Sequence, residues 1–180
     1  MLFLSVPNVK ENINTTTVNI HFKKATSADI ALIAQLADSI WRRHYPSIIS
    51  LAQIDYMLAL MYSPTAITQQ MQQGQHYTLI YNDSEAVGYY AISEKEVRHY
   101  FLHKFYIDTT KHRQGIGAVA LQYMLDNDCQ GYESICLQVN RRNIKAVNFY
   151  FKQGFVIDHA MEFDIGQGYS MDDYVMKKLR

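Results

Sequence analysis

Apolar and polar positions follow two different rhythms along the chain, and the change between them falls near residue 76. Before it the period is helical. Ile30, Ile33, Ala34, Ala37, Ile40 and Trp41 recur at three- and four-residue spacing, which places them on one helix face. Thr26 or Ser27 is positioned to cap the first free N–H groups, Asp29 falls in the first turn, and Pro46 comes just after the run. A second helical pattern covers 51–61, and a third covers 64–73 until Gly74 stops it. Ile20-His21-Phe22 is the one strand-like stretch in this half.

From residue 76 the segments 76–81, 86–92 and 97–107 are rich in Val, Ile, Tyr and Phe. Polar connectors such as Asn82-Asp83-Ser84-Glu85 separate them. Connectors this short join antiparallel strands, because a parallel pair needs a crossover of about a dozen residues. A helix at 115–126, a strand at 134–139, a helix at 143–152 and strands near 155–163 and 174–179 complete the pattern. The expectation is a single α+β domain over 19–180, with a mixed, mostly antiparallel sheet flanked by helices. Residues 1–18, polar after the first few and without a sustained period, read as an N-terminal arm.

Composition narrows the class. With 180 residues, 48% of them hydrophobic, the chain can bury one sizeable core. Seventeen Lys and Arg balance seventeen Asp and Glu, so a bulk basic surplus for nucleic acid is lacking. No apolar run approaches the roughly 18–20 residues of a membrane span. Cys129 and Cys136 make neither a disulfide framework nor a metal-ligand spacing. These features predict a cytoplasmic protein with no metal, no membrane and no nucleic-acid partner. The neutral sum conceals a polarity, however. Residues 98–152 hold eight Lys and Arg against four Asp and Glu, whereas 153–173 hold five acids and no Lys or Arg.

The basic stretch contains Ile107-Asp108-Thr109-Thr110-Lys111-His112-Arg113-Gln114-Gly115-Ile116-Gly117-Ala118: a strand end, a short glycine-bearing loop, then an apolar helix. The first N–H groups of a helix lack intrahelical partners and sit at the positive end of its dipole, and glycine lets a phosphate approach them. Three readings compete on these residues: a ligand-free turn, a dinucleotide site, and an acyl-CoA site. Gly115-Ile-Gly117-Ala-Val-Ala120 satisfies G-x-G-x-x-A, but a dinucleotide fold needs parallel βαβ units and an acidic residue closing the next strand. Here the preceding strands form an antiparallel meander, and the next strand closes with Asn140-Arg141-Arg142.

The segment HRQGIGA resembles the acyl-CoA pyrophosphate loop of the GNAT-type N-acetyltransferases, [Q/R]-x-x-G-x-[G/A], with His112 at the Gln/Arg position. Downstream, Asn143-Ile-Lys-Ala146-Val-Asn-Phe149-Tyr150-Phe-Lys152-Gln-Gly154-Phe155 is similar to the family's N-x-x-A-x-x-[FL]-Y-x-K-x-G-F signature. Two motifs in the right order, a strand apart, identify the chain over about 20–180 as a member of that family. The resemblance implies a sheet splayed at a central parallel strand pair, with acetyl-CoA in the split. It implies cofactor contacts from Phe105, Ile107, His112, Arg113, Gln114, Gly115, Ile116, Gly117, Ala118 and Asn143. It is also compatible with a homodimer.

Acetyl transfer to an amine poses two proton problems. An alkylamine with a pKa of about 10.4 arrives protonated, so a base is needed, and the departing thiolate gains from a donor. Tyr150 stands at the family's general-acid position. His103 resembles the histidine that serves as base in the arylalkylamine branch, and its near-neutral intrinsic pKa suits the task. Strand alternation puts Phe101, His103, Phe105 and Ile107 on one side, with Leu102, Lys104 and Tyr106 on the other. Lys104 and Lys152 read as solvated or phosphate-facing charges.

The family builds its acceptor site mainly from the first helices and the last strand connection. Here these carry Trp41, Arg42, Arg43, His44 and Tyr45, and Asp158, Glu162, Asp164, Asp172 and Asp173. The acidic set would suit a cationic amine, and the tail GQGYSMDDYVMKKL resembles bacterial polyamine-type relatives. The expected acceptor is therefore a primary amine: a small molecule, a polyamine or a peptide N-terminus. A domain that binds acyl-CoA without transferring its acyl group is the alternative, since binding needs only the cradle and the splayed strands.

Overall fold

A computed structural model describes residues 19–108, 110 and 115–180; the N-terminal arm and His112, Arg113 and Gln114 lie outside the described residues. The helical half forms α1 (Ile30–His44), α2 (Leu51–Tyr62) and α3 (Pro64–Gln72). A short 3-10 turn, Ser27–Asp29, leads into α1, and Thr26 and Asp29 close a capping box in which the Thr26 N–H donates to Asp29 Oδ2 at 2.9 Å. Ser50 and Ser63 cap α2 and α3 through their hydroxyl oxygens. Gly74, at φ 88°, ends α3 with the paired Gly74 N–H to Met71 and Gln75 N–H to Gln70 bonds of a Schellman turn.

The strands are β1 (Ile20–Lys24), β2 (His76–Asn82), β3 (Glu85–Glu96), β4 (His99–Ile107), β5 (Ser134–Asn140), β6 (Val156–Gly166) and β7 (Tyr169–Leu179), with α4 (Ile116–Asn127) and α5 (Ile144–Lys152) between them. They form one sheet in the order β1-β2-β3-β4-β5-β7-β6, antiparallel except for the central β4–β5 pair. The expected α+β domain with a mixed, mostly antiparallel sheet is what the chain adopts. Three boundaries differ. β3 runs on to Glu96 and β4 starts only at His99, because Arg98 turns the chain at φ 66°. β7 begins at Tyr169, joined to β6 through Gln167 and Gly168, both at positive φ as a two-residue type I′ hairpin requires.

Each face of the sheet carries its own core. Tyr77, Leu79, Tyr89 and Ala91 pack under α1, α2 and α3, while Ile80, Tyr90, Ile92, Leu137 and Met176 pack under α4 and α5. Adjacent residues of β2 and β3 thus feed opposite layers, as the period of two demands.

The alternation inferred for β4 fails at one point, and the failure shapes the site. Ala91 pairs with Lys104 and Ile92 with Leu102, so His103 is the extra residue of a bulge. Leu102 therefore shares the α4/α5 core with Phe105 and Ile107 instead of siding with Lys104 and Tyr106. His103 lies with Phe101, ring centroids 4.8 Å apart, and bonds Ser93 two positions along from Ala91. It therefore belongs to the α1–α3 face, with Lys104, and not with Phe105 and Ile107.

Candidate active site

β4 and β5 are paired only from His99 to Leu102 and from Ser134 to Leu137. Beyond that the parallel strands part. β4 continues to Ile107 along β3, and β5 continues to Asn140 along β7. A cavity of about 840 Å³ fills the opening, large enough for an extended thioester arm and a small second substrate.

One wall of the cavity is built by α4 and α5. Gly115 caps α4 in the left-handed region at φ 75°, where L side chains are strained. A Cβ there would meet none of the described residues within 4 Å. Gly117 and Ala118 line the cavity beside it; Ile116 does too, although its side chain is buried in the core. Asn143 is also buried, and its Oδ1 accepts the Ala146 N–H at 3.3 Å, so it starts α5 as well as facing the cavity.

Tyr150 is oriented by the other end of the same short helix. Gly154 at φ 82° closes α5 with the Phe155 N–H donating to Tyr150 O and the Gly154 N–H to Phe151 O, each at 3.0 Å. The Phe155 ring, fully buried, lies 5.4 Å from that of Tyr150. The G-F pair of the second motif is thus a Schellman cap with its apolar clasp, and it fixes the tyrosine that faces the split. Burial, with Tyr45 nearby, holds the Tyr150 phenol well above its usual pKa, so it stays protonated at neutral pH.

The opposite wall is aromatic. Trp41 at the end of α1 packs tilted against Tyr45, ring centroids 4.4 Å apart, and the Tyr62 and Tyr106 rings stand 5.4 and 6.0 Å from it. Burial and the Asp173 charge push the Tyr45 phenol up to about 12, with Tyr106 and Asn143 acting the other way. Arg42 and Arg43 do not join this wall. Arg42 pairs with Asp38 and Asp55, and Arg43 reaches Asp108 at the end of β4 at 2.8 Å. They fasten α1 in place while Trp41, His44 and Tyr45 face the cavity.

Three ionisable groups sit deep between the walls. His103 Nε2 lies 2.8 Å from Ser93 Oγ, and burial together with Lys104 and Lys95 lowers its pKa to about 4. Lys104, expected at the surface, is only 7% exposed; burial lowers its pKa to about 8. Its Nζ reaches Gln75 Oε1 at 3.4 Å and lies over the Tyr62 and Tyr77 rings. The bulge at 103, invisible to a count of alternating residues, accompanies this inward turn. Lys152 remains exposed at the cavity edge.

Asp173 is 1% exposed with Oδ1 lacking any hydrogen-bond partner, and burial with the Asp172 charge raises its pKa to about 6. Of the five acids in the last segment it alone lines the cavity. Asp158 pairs with His159, Glu162 with Ser170, Asp164 with the Gly166 N–H, and Asp172 with Arg141. Asp158, Glu162 and Asp164 stay exposed outside the cavity.

A mixed sheet opened at its one parallel pair, with a glycine-started helix on one lip and a capped tyrosine on the other, defines an acetyltransferase-type fold. Residues 50–167 match the family described as the acetyltransferase (GNAT) domain, and the chain belongs to that family. The fold is shared with PaiA N-acetyltransferase of Thermoplasma acidophilum, solved in complex with coenzyme A, at a TM-score of 0.73 and 20% identity over 90% of this chain and 99% of that one. It is shared too with Arabidopsis thaliana Naa50 in complex with the bisubstrate analogue CoA-Ac-MVNAL (TM-score 0.65, 19% identity, 91% and 100% covered). The ribosomal-protein-S18-alanine N-acetyltransferase of Escherichia coli gives 0.66 and 14% over 89% and 94%. None of the curated proteins compared with the chain matches it in sequence. Among the described residues no helix is long and apolar enough to cross a membrane.

Proposed function

We propose that the protein transfers an acetyl group from acetyl-CoA to a primary amine by direct attack. The observation that carries this reading is the split itself. β4 beyond Leu102 has no strand neighbour on its β5 side among the described residues, and the cavity runs from that strand edge to the α4 N-terminus and to Tyr150. An extended arm bearing amides fits along such an edge as an added strand, near Phe105 and Ile107, with its phosphates toward Gly115 and Gly117.

In this reading His103, on the Lys104 side of the cavity, takes the amine proton through water. That role needs the tautomer in which the Nε2–H donates to Ser93 Oγ, leaving the Nδ1 lone pair as acceptor. With its pKa lowered to about 4, the ring is neutral at physiological pH and available. The amine nitrogen bonds to the thioester carbon, a backbone N–H of the β4 edge receives the charge that builds on the carbonyl oxygen, and the C–S bond breaks. Tyr150 donates to the departing sulfur. Because its phenol is held above the usual range while an ordinary thiol titrates near ~8.5, Tyr150 acts by hydrogen bonding, and the thiolate takes its final proton from solvent.

Thermal-shift measurements with acetyl-CoA and with NAD, followed by thiol release against a panel of amines, test the proposal. Stabilisation by acetyl-CoA alone, with amine-dependent thiol release, is the expected result. Stabilisation without transfer to any amine would support a non-catalytic acyl-CoA-binding domain.

A further inference from the structure

The cavity's two least compensated charges have opposite sign and stand apart. Lys104 is buried and finds only one long contact, to an amide oxygen. No carboxylate pairs with it among the described residues. Asp173 is buried with an unpartnered oxygen. A buried ion without a counter-ion is costly, and a ligand that brings the missing charge recovers that cost.

A row of tyrosines separates the two. Lys104 Nζ lies 5.4 Å from the Tyr62 ring, Tyr62 and Tyr106 have centroids 6.3 Å apart, Trp41 stands 6.0 Å from Tyr106 and 4.4 Å from Tyr45, and the Asp173 charge acts on the Tyr45 phenol. Lys104 pairs with Ala91 from β4 and Asp173 pairs with Asn140 from β7, so β5 and the opened split lie between their strands. They therefore stand on opposite sides of one aromatic and apolar chamber, not as an ion pair, and Asp173 is the one on the Asn143 and Tyr150 side, since its partner Asn140 ends β5 just before Asn143.

We propose that the acceptor is an extended amino acid whose ammonium group docks on Asp173, beside the reacting end, and whose carboxylate docks on Lys104 some bonds away. This rests on the acetyltransferase reading and names its substrate class. It disfavours diamines and polyamines, because a second ammonium would meet the buried Lys104 cation. It also disfavours short α-amino acids, whose two charges are too close to span the tyrosine row.

The test compares 6-aminohexanoate with hexylamine, 6-aminohexanamide, glycine and 1,6-diaminohexane. Thiol release from acetyl-CoA is measured, and in parallel calorimetric binding of each amine to the CoA-loaded protein. The expected kcat/KM for 6-aminohexanoate exceeds that for hexylamine and for the diamine by about tenfold or more, the size of one charge-assisted hydrogen bond. Lys104→Met brings that ratio near one. Equal or better use of hexylamine or the diamine by the unmodified protein overturns the proposal without any variant. The calorimetric arm separates the two readings. Carboxylate-dependent binding without transfer leaves a binding site for an extended amino acid and overturns its role as acceptor together with the catalytic reading, whereas transfer without carboxylate preference overturns this assignment alone.

Discussion

Asp173→Asn should make the protein more stable and a poorer enzyme. The carboxyl is 1% exposed, one oxygen has no partner, and its pKa stands at about 6 against an ordinary 3.8. A pKa raised on folding means that the ionised form is disfavoured in the native state. Folding gains from a protonated Asp173 below about pH 4, and that gain is lost as pH rises through about 6. With about 1.4 kcal/mol per pKa unit, the penalty at pH 8 is on the order of 3 kcal/mol. For a chain of this length that corresponds to roughly 6–12 °C in midpoint. Thermal unfolding of the variant and the parent at pH 8, 6 and 4 reads it directly: a large gain at pH 8, a smaller one at pH 6, almost none at pH 4. Over the same range kcat/KM for amines should fall at least tenfold at pH 7 and above, because the neutral amide cannot counter an ammonium ion. A gain in stability that is flat with pH, or no gain at all, would refute the claim that Asp173 is a desolvated, uncompensated carboxylate.

Other substitutions separate chemistry from scaffold. Tyr150→Phe keeps the ring between Phe149 and Phe155, so the unfolding midpoint should barely move while kcat drops about 10- to 100-fold and the KM for acetyl-CoA stays within about twofold; an unchanged kcat removes Tyr150 from the leaving-group role. Below the limb that ionisation of Asp173 sets near pH 6, His103 adds a second acidic limb to kcat/KM near pH 4, above which its ring is neutral. His103→Gln should lower kcat/KM and abolish that limb, and an intact limb would assign proton removal to water or another group. Gly115→Ala should cost about 1–2 kcal/mol through its positive φ alone, since its Cβ meets none of the described residues within 4 Å. Gly88→Ala should cost several kcal/mol, or prevent folding, because its Cβ would fall 2.3 Å from Tyr106 O in the neighbouring strand. Comparable denaturation curves for the two glycine variants would contradict this difference.

The sequence was most legible where one chain segment contains the whole device. The helix starts at Thr26, Ser50 and Ser63, the Asn143 cap and the Gly154-Phe155 clasp are all short-range hydrogen-bonding patterns, closed within a few residues. Hence the elements and the order of the two motifs could be written down before any tertiary contact was known, while the facing of Tyr150 toward the cavity came from the family resemblance. The family resemblance supplied the parallel pair and its opening, and the sheet has both.

What the chain alone determined is therefore the domain, the glycine-started helix and the capped tyrosine. Tertiary structure decided which charges enter the cavity. A bulge at His103 breaks the count of two that had put it beside Phe105, and Lys104 is buried where a solvated charge was expected. Arg42 and Arg43 leave for Asp38, Asp55 and Asp108, and four of five tail acids find partners outside the cavity, leaving Asp173 alone inside. The physical reason is that a residue's charge is local, but its solvation and partners are not. Whether a carboxylate is a wet surface group or an uncompensated buried ion depends on strands and helices brought from elsewhere in the chain, and that distinction sets the chemistry of the substrate.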